Sequence, residues 1–326
     1  MVNQKINKNL KVVCLGGGIG TSVLIRGLKK YTQNITVITS MADDGGSSGR
    51  LRKAYNIMPP GDLVSCIAAL IEDQNKELAS LLTYRFPGKD RGNKAIDGHK
   101  LGNLIMLAEL LRTKDIYKAL NATKQMFGVK ADILPASDVR TRLSAITNDG
   151  RLIRSETALT LAKYAQPHGI KKIYLTPKFP KVNPKVVKNL QSADVIISGP
   201  GDLYTNQLPV LIIPEIKKIL LSKKCKKIFV LNVANKPFET LNFTLDDFTK
   251  AIKEHLGVFP FDTVIVNSNT LTKIPSKHRK YKYIKYNEKL SNLKKDYIIV
   301  KKDVINKQFP IYHDSDKLAK AVIENI

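Results

Sequence analysis

Apolar residues fall along the chain in short unbroken runs, separated by stretches where they recur every three or four positions. This alternation predicts strands interleaved with helices. The first unit is the clearest: residues 11–15 read as a buried strand and 16–20 (GGGIG) as a turn. Residues 21–30 then read as a helix with Val23, Leu24 and Leu28 on one face, and 35–39 as the next strand. Strand, glycine turn, helix and strand make a right-handed βαβ unit and predict a parallel sheet. Further strands are predicted at 172–175, 195–198, 228–232, 263–267 and 297–300, and helices at 63–71, 101–111, 116–126, 185–190, 245–254 and 316–323. Residues 140–156 depart from this rhythm. They alternate apolar and polar positions about Asn148-Asp149-Gly150, a type I′ hairpin signal. No repeat, low-complexity tract or linker is visible. The expected fold class is α/β, a doubly wound, mostly parallel Rossmann-like sheet with an inserted β-hairpin. A polar tail over 1–10 precedes a single nucleotide-ligand-binding domain over 11–326.

Composition narrows the class. Apolar residues make up 43% of the 326, enough for a sizeable core. No apolar run approaches the roughly 18 residues that span a membrane, and the lysine-rich start shows no signal peptide. Cys14, Cys66 and Cys225 are scattered, odd in number and free of any Cys/His cluster, which fits reduced thiols in the cytosol. The expected localisation is cytoplasmic. Lysine and arginine number 54 against 28 acidic residues, a net charge of +26. The excess is spread over 171–188, 217–227 and 273–302, without an RGG tract, zinc finger or helix-turn-helix. The interleaving of Tyr281, Tyr283 and Tyr286 with lysine is also what a half-exposed strand looks like. Nucleic acid is therefore not the expected partner; a positive field that draws in anionic small ligands is.

Four glycine-containing loops fall beyond the carboxyl ends of predicted strands or at helix starts, where α/β proteins bind ligands. In Gly16-Gly17-Gly18-Ile19-Gly20-Thr21 adjacent glycines turn backbone N–H groups inward before a helix, which favours phosphate. Thr21 replaces the third glycine of a dinucleotide fingerprint, and no Lys-Ser/Thr follows to make a Walker A loop. The second loop spans 42–52. There Asp43 and Asp44 suit hydroxyls or magnesium, and Arg50 and Arg52 suit phosphate, with Gly45, Ser47 and Ser48 between them. The third holds Gly61 and Asp62, where Asp62 is either a helix cap or a ligand contact. The related segment 98–103 presents His99 and Asn103. The fourth is Ser198–Thr205, where Gly199, Gly201, Asp202, Tyr204 and Thr205 follow a strand and Tyr204 offers a ring for stacking. Asn232 ends another strand. No G-x-S-x-G occurs, and His168, His255, His278 and His313 lack an evident nucleophile partner.

Taken in order, GGGIGT, ADDGGSSGRLR, PPGD, GHKLGNL and GPGDLYTNQLP resemble the YvcK-type gluconeogenesis factor family, related to the CofD-type 2-phospho-lactate transferases of deazaflavin coenzyme synthesis. The resemblance runs from about Val12 to the C-terminal helix. It implies a doubly wound sheet, binding of UDP-sugars such as UDP-N-acetylglucosamine, and a role in gluconeogenic growth, cell shape and cell-wall homeostasis. The transferase relatives use a guanosine-diphosphate-linked lactyl donor with magnesium. Three departures stand out: Phe238 replaces a glycine before Glu239-Thr240, Tyr312 stands where arginine is expected before His313-Asp314, and Asp202 stands where serine is commoner.

Two functions are carried forward. The favoured one is a non-catalytic nucleotide-sugar sensor with a downstream protein partner. Gly16, Gly17, Gly18, Gly20 and Thr21 would cradle phosphate, Arg50 would offset its charge, and Gly199, Gly201, Tyr204 and Thr205 would form the opposite wall. The alternative is a magnesium-dependent transferase with Asp43 and Asp44 at the metal. A nicotinamide dehydrogenase ranks third. Base, sugar and any homo-oligomer stay open.

Overall fold

The structure is a computed structural model that describes residues 9–88, 95–160, 169–237, 239–286 and 296–326. Seven strands form its central sheet: β1 (Val12–Leu15), β2 (Ile35–Thr39), β3 (Asp132–Pro135), β7 (Val195–Ser198), β8 (Lys226–Val230), β9 (Thr263–Asn267) and β10 (Ile298–Lys302). Their order is β10-β9-β8-β7-β1-β2-β3, and every neighbouring pair is parallel. From β1 the chain winds outward through β2 to β3, then crosses back to β7 on the other flank. The reversal leaves a crevice beyond the carboxyl ends of β1 and β7.

Each inner strand is apolar on both faces because helices cover both sides. In β1, Val13 and Leu15 join one buried cluster while Val12 and Cys14 join the other, as a two-residue period demands. One face carries α1 (Gly18–Leu28), α3 (Gly61–Leu70), α5 (Leu101–Thr113), α6 (Ile116–Met126) and α12 (Ser315–Ile323). The opposite face carries α8 (Pro184–Ser192), α9 (Leu208–Leu211), α10 (Pro214–Ser222) and α11 (Leu245–Leu256). The remaining helices are α2 (Gly46–Tyr55), α4 (Lys76–Thr83) and α7 (Glu156–Thr160). Starts and stops follow local chemistry. Asn183 caps α8 ahead of Pro184, Thr244 and Asp247 form a reciprocal capping box on α11, and Gly257 ends α11 in the left-handed conformation.

Several expectations are corrected. The strand expected at 172–175 belongs to β6 (Ile170–Thr176), which pairs antiparallel with β4 (Arg142–Thr147). With β5 (Leu152–Ile153) it makes a small separate sheet of order β5-β4-β6. The hairpin exists, but its turn is not type I′, because neither Asn148 nor Asp149 has positive φ. Gly150 does, at 85°, and its N–H bonds Thr147 O at 3.0 Å, as in a type I turn closed by a left-handed glycine. The stretch 42–52 is a loop only to Gly45, where α2 begins. Strand β3 and helices α4, α9 and α10 were not anticipated. Phe238 and His168 lie outside the described residues. Among the described residues no helix is long and apolar enough to cross a membrane.

Candidate functional site: a cleft at the sheet's switch point

A cleft of about 350 Å³ opens where the strand order reverses. Gly18, Ile19 and Gly20 at the start of α1 form one wall, and Pro200, Gly201, Asp202 and Asn206 after β7 form another. Asn232, Val233, Ala234 and Lys236 after β8 line it too, together with Tyr281, Ile311, Tyr312 and His313. The first N–H groups of α1 have no intrahelical partner, and the helix dipole adds positive potential. That wall suits an anion. Two tyrosine rings and Ile311 supply the apolar surface a base or sugar needs. The Asn206 side chain makes no hydrogen bond among the described residues, so it is free to meet a ligand. Burial pushes the His313 imidazole down to about 4, and its Nε2 lies 3.1 Å from Leu231 O, so it is a neutral group.

The glycine turn separates this cleft from a buried acidic pole. A Cβ on Gly17 would stand 2.9 Å from Asp62 Cγ, so only glycine lets the turn lie against that carboxyl. Asp62 does not cap α3, where Pro60 holds the cap position; its carboxylate accepts a hydrogen bond from the Gly18 backbone instead. Gly16 and Gly17 are buried and serve packing, while Gly18 and Gly20 reach the cleft. Thr21 is buried with its hydroxyl unpartnered, beside Gly16. Burial, with Asp43 nearby, raises the Asp62 carboxyl to about 7. Burial likewise raises Asp43, and raises Glu156 to about 8. This pole holds protons near neutral pH.

The aspartates of the second loop do not form a metal pair. Asp44 accepts from Glu156 N at 3.2 Å, Thr157 N at 2.7 Å and Thr157 Oγ1 at 2.7 Å, so its carboxylate caps α7. Asp43 accepts from Gly45 N at 2.9 Å and bonds Ser48. Among the described residues no three His, Cys, Asp or Glu gather as metal ligands. The residues present therefore do not fit a magnesium held by Asp43 and Asp44 together.

The arginines are likewise engaged. Arg52 is buried and donates to Met41 O at 3.3 Å, Asp43 O at 2.9 Å and Thr141 O at 2.5 Å, while Arg50 donates to Asp97 O at 2.6 Å. Neither lines the cleft. Ser47 meets His99 Nδ1 at 2.9 Å and accepts from Asn103 Nδ2 at 2.9 Å, a serine–histidine contact that sequence separation hid. All three side chains are buried and outside the cleft.

Beyond β7 the expected wall divides in two. Gly199 adopts φ 83°, and a Cβ there would meet the Val230 carbonyl. Asn232 grips Gly201 with both ends of its amide, 2.9 Å to the nitrogen and 2.9 Å to the oxygen. Gln207 adds a 2.7 Å bond to the same oxygen. Tyr204, by contrast, is a core residue. Its hydroxyl donates to Ile170 O at 3.3 Å, and its ring packs edge-on against Phe243 and His255, so it does not stack on a ligand. Thr205 is buried beside it. Glu239 accepts from Tyr204 N at 2.6 Å and Thr205 N at 3.1 Å, bracing the π-helical turn Leu203–Gln207. Lys236 stands between Asp202 at 2.5 Å and Glu239 at 3.1 Å. Sequence reasoning missed Lys236, Asn206 and Ile311 as cleft residues, and read Tyr281 as part of a half-exposed strand and Tyr312 as a departure from the family pattern. Only the run after Gly201, quoted as a motif, hinted at Asn206.

The chain matches the family described as 2-phospho-L-lactate transferase CofD over residues 12–312. It is 37% identical over 317 residues to the "Gluconeogenesis factor" of Bacillus subtilis (strain 168), covering 96% of this chain and 97% of that one. It is 33% identical to the "Gluconeogenesis factor" of Halalkalibacterium halodurans, with 97% of each covered. A crystal structure of a UPF0052-family protein from Bacillus halodurans superposes with a TM-score of 0.86 at 32% identity, over 96% of this chain and 98% of that one.

Proposed function

The chain belongs to the gluconeogenesis-factor branch of the CofD family, and on that premise we propose that it binds a nucleotide-sugar and acts as a regulator. The ligand is UDP-N-acetylglucosamine or a close analogue, held in the cytoplasm and signalled to a protein partner that serves gluconeogenic growth and cell-wall homeostasis. One observation carries the reading: the first turn of α1 at Ile19 and Gly20 and two tyrosines open onto one cleft at the point where the sheet reverses direction. The diphosphate lies at Ile19 and Gly20, whose helix N–H groups have no intrahelical partner, while the Gly18 N–H is kept by Asp62. The base or sugar lies against Tyr281 and Tyr312, and Asn206 answers a hydroxyl or carbonyl. Binding without turnover is favoured because the Ser47–His99 contact is buried and Asp44 is committed to α7.

Calorimetric titration with UDP-N-acetylglucosamine, with and without magnesium, followed by chromatography of the recovered ligand, tests this. Saturable binding with intact ligand is expected. Consumption of the ligand would make the protein an enzyme, and a product bearing the transferred group would fit the transferase reading that the family match and the acidic pole at Asp43 and Asp62 favour. Absence of binding by any nucleotide-sugar would refute the proposal.

A further inference from the structure

For a protein of net charge +26, the cleft is short of positive charge. Lys236 is the one formal cation among the described residues that line it, and Asp202 is the one formal anion. The two are bonded at 2.5 Å. Behind them Glu239, fully buried, holds the same ammonium at 3.1 Å. Burial raises the Glu239 carboxyl above its ordinary range, and Asp202 alone already balances Lys236, so the lining holds no uncompensated cation to greet a phosphate.

We infer, resting on the ligand site proposed above, that Asp202 is an internal stand-in for a ligand phosphate: it occupies the ammonium of Lys236 until an anion displaces it. Each partner's freedom differs in the way this requires. Glu239 cannot leave, because its other oxygen also accepts from Tyr204 N and Thr205 N. The Asp202 backbone is fixed, since its carbonyl accepts from Asn206 N and Gln207 N, both at 3.0 Å. Its side chain carries no comparable anchor and is about a third exposed, at 32%. It can swing toward water while Lys236, held by Glu239, stays in place. A diphosphate entering at α1 then replaces one oxyanion by another. The displaced carboxylate regains solvent, so the site exchanges charges without burying a new one. Asp202 thereby sets affinity and selects ligands whose charge exceeds its own.

The test uses the full chain and three probes: uridine, UDP and inorganic pyrophosphate. Asp202→Asn should bind UDP and pyrophosphate about tenfold more tightly than the unaltered protein, since removing a like charge from an anion site favours the anion. Uridine affinity should not change. The variant's phosphate affinity should also fall more steeply with added salt, because one of the two carboxylates beside Lys236 no longer opposes the anion. Asp202→Ser should repeat the gain if the amide disturbs folding. The pair Asp202→Asn with Lys236→Gln should lose the gain, because the ammonium that receives the phosphate is gone. Pyrophosphate reads the inference whatever the base. A gain for pyrophosphate without UDP binding would uphold the displacement and overturn the uridine reading. Binding of both anions by the unaltered chain with no gain in either Asp202 variant would overturn the displacement alone. Failure of every variant to bind either anion would overturn both.

Discussion

Gly20→Ala isolates the contact that makes the cleft. A Cβ on Gly20 would stand 2.6 Å from the Pro200 carbonyl carbon and 3.0 Å from the Gly201 nitrogen, and nearer still to the Pro200 oxygen. Comfortable carbon–carbon packing needs about 3.5 Å, so the two segments must part by about 1 Å. Neither gives way freely. Gly20 is in the first turn of α1, and Gly201 is tied by the Asn232 amide and by Gln207. Overpacking of this kind costs about 1–3 kcal/mol. Alanine's better helix preference returns about 0.5–1 kcal/mol. The expected net loss is up to about 2.5 kcal/mol, together with loss of anion binding as the two walls separate. Urea unfolding followed by circular dichroism reads the first, and calorimetry reads the second. Gly201→Ala is the matched control: its nearest atom would be Gly17 O at 3.6 Å, an ordinary contact, so stability should hold while the added methyl narrows the cleft and weakens binding. A Gly20→Ala protein with unaltered stability and affinity would show that α1 and the loop after β7 are not in this contact, and the cleft would have to be redrawn.

Two further outcomes follow from the buried groups around the turn. Asp62 is raised in the fold to about 7 by burial, so its contribution is complete below the unfolded value of about 4 and is lost as pH rises to about 7. Asp62→Asn should therefore remove a decline of up to about 4 kcal/mol in unfolding free energy across that window, and parallel pH profiles for the two proteins would refute the burial argument. Arg52→Lys should cost about 2–4 kcal/mol, because one ammonium cannot satisfy three carbonyls. Its ligand affinity should stay at the unaltered level once folding is allowed for; a loss of phosphate binding at full stability would restore Arg52 to the site.

What the sequence disclosed follows from how local each signal is. The βαβ start was legible because Val12–Leu15 and Ile35–Thr39 are unbroken apolar runs around a glycine turn, and short parallel strands buried on both faces have that pattern. Helix α2 was not legible. Gly46, Gly49 and two serines are poor helix formers, and Leu51 is its one buried aliphatic residue. That helix is held from outside its own sequence, by Arg52 on three carbonyls and by the close approach of Gly49 to Asp44, which leaves no periodic trace. Tyr204 misled for the opposite reason. An aromatic ring in a glycine-rich loop looks like a ligand contact, yet the π-helical turn rotates it into the core against Phe243. The cleft's own residues come from segments after β1, β7, β8 and β9 and from the C-terminal stretch after β10. Crossovers of the parallel sheet bring these segments together, and no spacing along the chain encodes that meeting.

The same separation of scales explains how a strongly basic protein can hold a cleft that is locally not basic. Lysines spread over the surface act together as a field, and that field gathers anions without telling one from another. Within about 8–10 Å, the screening distance at ordinary ionic strength, individual groups take over. There the balance is set by Lys236 between two carboxylates, by the outward-facing start of α1, and by a glycine turn thin enough to lie against the buried Asp62. Singly charged metabolites would be drawn to the surface but offered little by a lysine already neutralised. A ligand with two linked phosphates, as proposed, would bring enough charge to displace Asp202 while the helix start took the rest, and its uncharged end would meet the tyrosines. On the proposed function, selectivity for a diphosphate with an apolar or sugar-like appendage would then arise from the shortage of free cations in the cleft, where an abundance of them would have accepted any anion.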